Sequence, residues 1–394
     1  MNCGLLQRVD SERYRLRNVE NLMTPALVVY PEIVTENIDL TLRLLEGYPN
    51  RWRPHLKTVK IESIVRRLVE RGVVHVKCAT TLEVSTALAA GAEDVLLAHL
   101  PIGANAARLR AIAGSHSRAA ISALVECPAH VDQWKGSEIG LFIDVNAGMN
   151  RTGIGERQVE DVISLARYIQ GCGLSFRGLH YYDGHLYAYP DMNEREVVAH
   201  QGYRQAVTLI EALDAEGLAV EELVTAGTPA FPASISFEPF REASFMHRVS
   251  PGTVLFGDIN SFRELPELRE YRPAALVVST VISQPTERLV TCDAGHKTVS
   301  ADAGVPTCCV LGYPEIEPQK PSEEHLPLLV PADGRVPAIG EVLYLVPRHV
   351  CPTVNNFDHV LMAVGHSVVV ERVQARGREY PLLPGEDSPL RGNP

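Results

Sequence analysis

Lys57 ends the run Arg53-Pro54-His55-Leu56-Lys57-Thr58. A lysine kept from water loses its proton readily and can form a Schiff base with an aldehyde. Most lysines are simply exposed, so the weight lies in what recurs along the chain. Residues 144–153 follow an apolar run and crowd turn formers around one arginine, Arg151. His180-Tyr181-Tyr182-Asp183-Gly184-His185 gathers four titratable rings and a carboxylate. Thr225-Ala226-Gly227-Thr228-Pro229 and Ser250-Pro251-Gly252-Thr253 are small-residue loops whose N–H groups can approach a phosphate. Finally, His349-Val350-Cys351 offers an imidazole and a thiol at i and i+2, which point the same way on an extended segment. That pair is borderline soft and suits Zn²⁺ better than Mg²⁺ or Ca²⁺, and two protein ligands leave positions open for substrate and water.

These groups need elements that bring them together. Short β-branched runs alternate with amphipathic ones from Thr24 to about Asp258, the signature of βα units and a parallel sheet. The strand candidates are 24–30, 52–58, 74–80, 94–100, 120–126, 139–145, 174–182, 222–227 and 248–256. Nine exceed by one the eight of a closed barrel, so one is misread or enters from outside. Between them Ile61, Ile64, Val65 and Leu68, and again Val159, Val162, Ile163 and Ala166, mark single helix faces that pack on the sheet. After about Tyr271 strands follow one another without helices, at 274–283, 288–292, 298–300, 342–346 and 360–370. The predicted architecture is a (β/α)₈ TIM-type barrel over 23–265, with 1–22 and 266–394 forming a mainly antiparallel β domain that carries His349 and Cys351. In such a barrel the carboxyl ends of the strands face the active site, where Lys57 and the glycine loops fall. The tail 382–394 reads as a loose end.

The 394 residues are 45% hydrophobic and 22% charged, which excludes disorder, collagen-like repeats and coiled coil as the main architecture. Thirty-seven Lys+Arg against 48 Asp+Glu leave a net charge of −11, so a nucleic acid is not an expected partner. No apolar stretch approaches the roughly 18 residues of a membrane helix, and the first eight residues lack the apolar core of a signal peptide, so a cytoplasmic protein is expected. Eight scattered cysteines then read as buried small hydrophobes, with Cys308 and its neighbour Cys309 as two free thiols because adjacent residues make a strained bridge. Cys351 is the exception.

Thr24-Pro25-Ala26, Pro54 to Thr58, Asp144 to Gly153, Ala226-Gly227-Thr228, Pro251-Gly252, Asp293 to Lys297, Ser322 to His325 and His349 to Cys351 stand in one order along nearly the whole chain. As an ordered set they resemble the metal-activated, pyridoxal-phosphate-dependent enzymes of the D-threonine aldolase and D-serine dehydratase group, relatives of alanine racemase. The resemblance implies pyridoxal phosphate on Lys57, with His55, Arg151 and Tyr182 near it and its phosphate held by Gly227, Thr228, Gly252 and Thr253. It also implies a divalent cation on His349 and Cys351, Zn²⁺ ahead of Mn²⁺ or Mg²⁺, and a homodimer. The implied activity is that of a lyase on D-3-hydroxy-α-amino acids. Retro-aldol cleavage of D-threonine-like substrates gives glycine and an aldehyde, with His185 as the hydroxyl base. Dehydration of D-serine or 3-hydroxyaspartate to a keto acid and ammonia is the alternative, because aldolases of the group often place an aspartate where Cys351 stands. A non-catalytic pyridoxal-phosphate carrier would lack the second domain, and a racemase needs no metal.

Overall fold

Leu27, Val28 and Val29 are wholly buried in β1 (Ala26–Val29), which α1 (Pro31–Leu44) follows. Helices and strands then alternate: α2 (Glu62–Val69), β2 (His75–Cys78), α3 (Thr81–Ala89), β3 (Asp94–Leu97), α4 (Ala104–Ser115), β4 (Ala120–Val125), α5 (Pro128–Asp132), β5 (Gly140–Asn146), β6 (Ile154–Gly155), α6 (Val159–Gly171), β7 (Phe176–Tyr181), α7 (Met192–Ala215), β8 (Glu222–Thr225), α8 (Phe231–Ser236), β9 (Met246–Val249) and α9 (Ile259–Glu264). The computed structural model describes residues 3–265, 270–379 and 382, so the predicted loose tail lies, but for Leu382, outside the described residues. The chain forms two units. One comprises Leu42–Lys57, Val65–Gly252 and Arg378–Pro394; the other comprises Met1–Thr41, Thr58–Ile64 and Thr253–Gly377.

In the first unit the sheet runs β2-β3-β4-β5-β7-β8-β9 with every neighbour parallel and β6 paired to β5. Both of its edges meet the segment 52–55, since Trp52 bridges Val249 of β9 and His55 bridges Lys77 of β2, each in parallel. The Arg53 N–H donates to the Val249 carbonyl at 2.9 Å and the Leu56 N–H to that of Lys77 at 2.7 Å. The segment is the eighth strand, and the (β/α)₈ ring closes through it. Strands covered on both faces read as unbroken apolar runs, as the wholly buried β3 and β8 do.

Alternate side chains fill the barrel in layers. At one end Arg53, without exposure, donates to Glu222 at 2.6 Å and Asp94 at 2.8 Å, and Arg177 and Arg248 join the same two carboxylates. Leu96, Leu124, Phe142 and Val224 pack as an apolar layer. Two residues beyond Phe142 on β5 comes Asp144, beside His180 of β7.

In the second unit β10 (Ala275–Thr286), β11 (Leu289–Cys292), β12 (Cys308–Val310), β13 (Glu317–Pro318), β14 (Leu326–Leu329), β15 (Val342–Pro347), α10 (Val350–Asn355), β16 (His359–Val364) and β17 (Ser367–Arg372) follow in turn. All pairs are antiparallel except β1 with β16. The ninth strand candidate is β1, which joins this sheet against β10; four buried apolar residues carry no mark of which sheet they enter. The expected strand 298–300 is a turn, tied by the Thr298 hydroxyl donating to the Gly295 carbonyl. The run 360–370 is a hairpin reversed at Gly365, whose φ is +57°.

The cysteine expectation needs correction: Cys309 forms a disulfide with Cys3, 306 residues away. Successive strand residues face opposite ways, so Cys308 enters the apolar core and remains a free thiol while Cys309 turns toward Cys3. Adjacency argued against a bridge between the two and said nothing of a distant partner. No described helix is long and apolar enough to cross a membrane.

Candidate active site

Lys57 is exposed where the first barrel strand ends. Behind it His55 is held far below the usual imidazole range, by burial first and then by the charges of Lys57 and Lys77. Lys77, 2% exposed, reaches its Nζ to within 3.3 Å of His180 Nε2, and His180 Nδ1 donates to Asp144 at 2.7 Å. Burial, then the Lys57 charge, lowers the Lys77 amine to about 7. Burial likewise lowers His180, so this imidazole is neutral between a carboxylate and an amine.

Tyr182 lies nearly parallel to the His180 ring, 6.3 Å away at 7°. Lys77 Nζ is 5.3 Å from its ring centre and the Arg151 guanidinium carbon 5.4 Å, so the ring has an amine and a guanidinium against it. Gly184 and Gly227 leave room for that ring: a Cβ would lie 2.4 Å from it at Gly184 and 3.1 Å at Gly227. A Cβ at Gly252 would stand 2.2 Å from the His55 carbonyl. The backbone N–H groups of Thr228 and Gly252 donate to no acceptor among the described residues.

His185 follows in a turn and is half-buried. Its ring rests on Gly148, where a Cβ would come 3.3 Å from Nε2 and where φ is +108°, so glycine is required twice over. Burial lowers the imidazole below its ordinary value, with Glu156 opposing, and its Nδ1 is buried with no hydrogen-bond partner among the described residues. A neutral imidazole with a free ring nitrogen is in the form a general base requires. Beside it Asp183 is buried and pushed up to about 6 by that burial, against the Tyr203 hydroxyl that donates to it at 2.6 Å.

The second cluster belongs to the other unit. His349 is extended (φ −132°, ψ 108°), but Cys351 sits in the first turn of α10, so the two are not neighbours on a strand as expected. Their side chains nevertheless hydrogen-bond, because the helix turns Cys351 back toward the ring. Asp302 accepts from His349 Nδ1 at 2.6 Å, the carboxylate–histidine arrangement that leaves Nε2 available to a cation. Burial lowers His349, but Cys351 and the carboxylates of Asp258 and Asp302 outweigh it and raise the imidazole to about 10. Thr58 and Thr253 place hydroxyls 3.0 Å and 3.6 Å from Cys351 Sγ. Thr253, expected at a phosphate, thus stands beside the sulfur. Among the described residues no third side chain of ligand type completes a closed metal site.

Sequence reasoning missed Lys77, Asp302 and Thr58. A lysine inside the valine-rich run 73–78 was a readable signal for the first. Asp302 lies 47 residues from its partner, with no local sign of the contact.

Residues 32–260 match the family model of the alanine racemase N-terminal domain. The chain belongs to that family. Residues 274–363 of this alanine-racemase-like chain also match the model of a serine dehydratase domain. It is 28% identical over 370 residues to a D-threonine aldolase of Arthrobacter sp, covering 90% of this chain and 93% of the relative. It is 27% identical over 376 residues to a 3-hydroxy-D-aspartate aldolase of Paracoccus denitrificans, covering 91% and 93%. Among solved structures, D-threonine aldolase from Filomicrobium marinum superposes with a TM-score of 0.82 at 27% identity, covering 91% of this chain and 97% of that one. D-threo-3-hydroxyaspartate dehydratase from Delftia sp. HT23 shares the fold, with a TM-score of 0.76 at 23% identity and coverage of 92% and 99%.

Proposed function

We propose that the chain is a lyase of D-3-hydroxy-α-amino acids that uses pyridoxal phosphate and a divalent cation, with aldol cleavage of D-threonine-like substrates ahead of dehydration. The observation that carries cleavage is His185, a neutral imidazole whose Nδ1 has no partner among the described residues, in the same unit as Lys57, Arg151 and Tyr182. The aldolase names of two relatives support it.

The barrel residues fit the cofactor. Lys57 is an accessible amine, and the N–H groups of Thr228 and Gly252, without an acceptor among the described residues, would suit a phosphate beside Gly227. When bound, pyridoxal phosphate supplies an electron sink for a bond broken at the α-carbon. His349 and Cys351 fit a cation as an open pair of ligands oriented by Asp302, with Zn²⁺ suiting the donors best. When bound, the cation acts as a Lewis acid toward the substrate's β-hydroxyl.

This chain's own residues then divide the work. Lys57 would hold the cofactor, and its amine is the group that can accept or return a proton at the substrate's α-carbon. His185 takes the β-hydroxyl proton. Arg151 supplies fixed positive charge for anionic groups in a protein that is negative overall. His55, neutral through burial, adds no positive charge beside Lys57.

One observation favours the dehydratase reading: the sulfur ligand Cys351. Incubation with D-threonine separates the two, since acetaldehyde with glycine means cleavage and 2-oxobutanoate with ammonia means dehydration. Exhaustive chelation is expected to remove most activity and added divalent cation to restore it; full activity after chelation overturns the metal assignment. A homodimer belongs to the same proposal, and light scattering after gel filtration tests it.

A further inference from the structure

Lys77 has no part in the division of work above, yet burying its amine costs stability. Because His180 Nδ1 donates to Asp144, His180 Nε2 is an acceptor, and Lys77 donates to it at 3.3 Å. That is the one hydrogen-bond partner of Lys77 Nζ among the described residues, so an ammonium here leaves two of its three N–H donors unmet. Asp144, His180, Tyr182 and Arg151 line one cavity of about 40 Å³, so the ring that Lys77 meets opens toward the strand ends. Burial, then the Lys57 charge and more weakly that of Arg53, disfavours the ammonium against Asp183 and Asp144, and the amine falls to about 7. His55 and His180 are themselves neutral through burial, and the Tyr182 ring has Arg151 against it as well.

The order of strands says which acceptor is missing. Segment 52–57 lies between β9 and β2, since Trp52 bridges Val249 and His55 bridges Lys77. Thr228 follows β8 and Gly252 follows β9, so the N–H groups suited to a phosphate lie on the β9 side of Lys57, and Lys77 lies on the β2 side. On the pyridoxal ring the carbon that bears the aldehyde is flanked by the phosphate-bearing arm on one side and a hydroxyl on the other. With the aldehyde carbon at Lys57 and the phosphate toward β9, the ring oxygen falls toward β2. We infer that Lys77 is a second cofactor-binding amine, which takes up a proton from solvent when pyridoxal phosphate binds and donates to its ring oxygen, a role that rests on the proposed place of the cofactor at Lys57. An anionic oxygen brought to an amine that lacks acceptors favours its ammonium form.

The full-length chain, freed of cofactor and titrated with pyridoxal phosphate while absorbance is followed, tests this. The Kd of Lys77→Met should exceed that of the parent at least about tenfold below about pH 7, the worth of a hydrogen bond to a charged group. The excess should shrink as pH rises above about 7 and be gone by about pH 10, because binding to the parent must then draw a proton that the solvent supplies less readily. With 3-O-methylpyridoxal phosphate, whose ring oxygen cannot carry charge, parent and variant should bind alike. Methionine puts an apolar chain of similar length where the amine was, so the variant is expected to fold. Equal Kd values for parent and variant, a ratio that is the same at every pH, or an equal loss with the methylated cofactor would show that Lys77 only packs, and overturns the inference. The expected ratios without turnover of any D-hydroxy amino acid support it and remove the proposed activity. D-Threonine turnover with a ratio independent of pH does the reverse, and a parent that binds no pyridoxal phosphate overturns both.

Discussion

Lys77 carries a measurable signature of its burial. Its amine titrates at about 7 in the folded chain because burial and the Lys57 charge disfavour the ammonium, whereas an unfolded lysine titrates near 10.4. Between those values the unfolded chain binds a proton that the folded one does not, so stability rises with pH across the window, and the penalty is fully present below about 7. Lys77→Met should therefore be more stable than the parent at pH 7, by roughly 1–3 kcal/mol, and the gain should vanish by about pH 10. Urea midpoints taken across that range check it; a gain independent of pH would locate the penalty elsewhere. Asp302 acts through the ring it orients, so Asp302→Asn should weaken cation binding about 10- to 100-fold in a metal titration, while His349 and Cys351 remain in place. The contrast between these residues explains how much of the site was legible. Lys57, His349 and Cys351 stand out because their types are unusual where they occur. Asp302 and Thr58 look like any turn aspartate and strand-end threonine until folding brings them to the histidine and the sulfur.

At the scale of elements, β7 shows how one residue sets a register. Its pairing with β5 slips between Leu141 and Phe142, and Gly178 sits at the slip with φ +148° and a hypothetical Cβ only 1.9 Å from the Glu222 carbonyl of β8. The slip lets Arg177 reach Asp94 at one level while His180 reaches Asp144 at another. Gly178→Ala must push two strands apart, and a loss of about 3 kcal/mol or more in chemical unfolding is expected; a near-neutral alanine would mean the bulge relaxes freely. The bulge was not legible, since a glycine inside a strand pattern marks only that some backbone comes close. The barrel strands were, because continuous burial on both faces writes itself as apolar runs of the right length. β1 has the same run and a different sheet, and the hairpin at Gly365 was read as one strand because both arms are rich in valine.

For the whole molecule, charge and covalent linkage act at long range. A net charge of −11 would repel anionic cofactors and substrates, yet Lys57 and Arg151 stand in one unit at the carboxyl ends of the strands, and a focused positive field there is screened by salt. The KM for a substrate should accordingly rise with ionic strength, more steeply for one with two carboxylates. The disulfide is the other long-range term. Cys3 and Cys309 are separated by 306 residues, so the link removes conformational freedom from most of the unfolded chain while joining segments already packed in the folded one. Such bonds persist in oxidising compartments and are rare in reducing cytosol, so the expected cytoplasmic location and the bond make opposite demands. Stability decides how much the fold depends on the bond. Cys3→Ser should lose about 2–4 kcal/mol relative to the oxidised parent. The loss should disappear when the parent is reduced with dithiothreitol, because the two chains then differ by one sulfur atom. A variant as stable as the oxidised parent would show that packing of the segment Cys3–Arg8 and of β12 holds this corner without the bond.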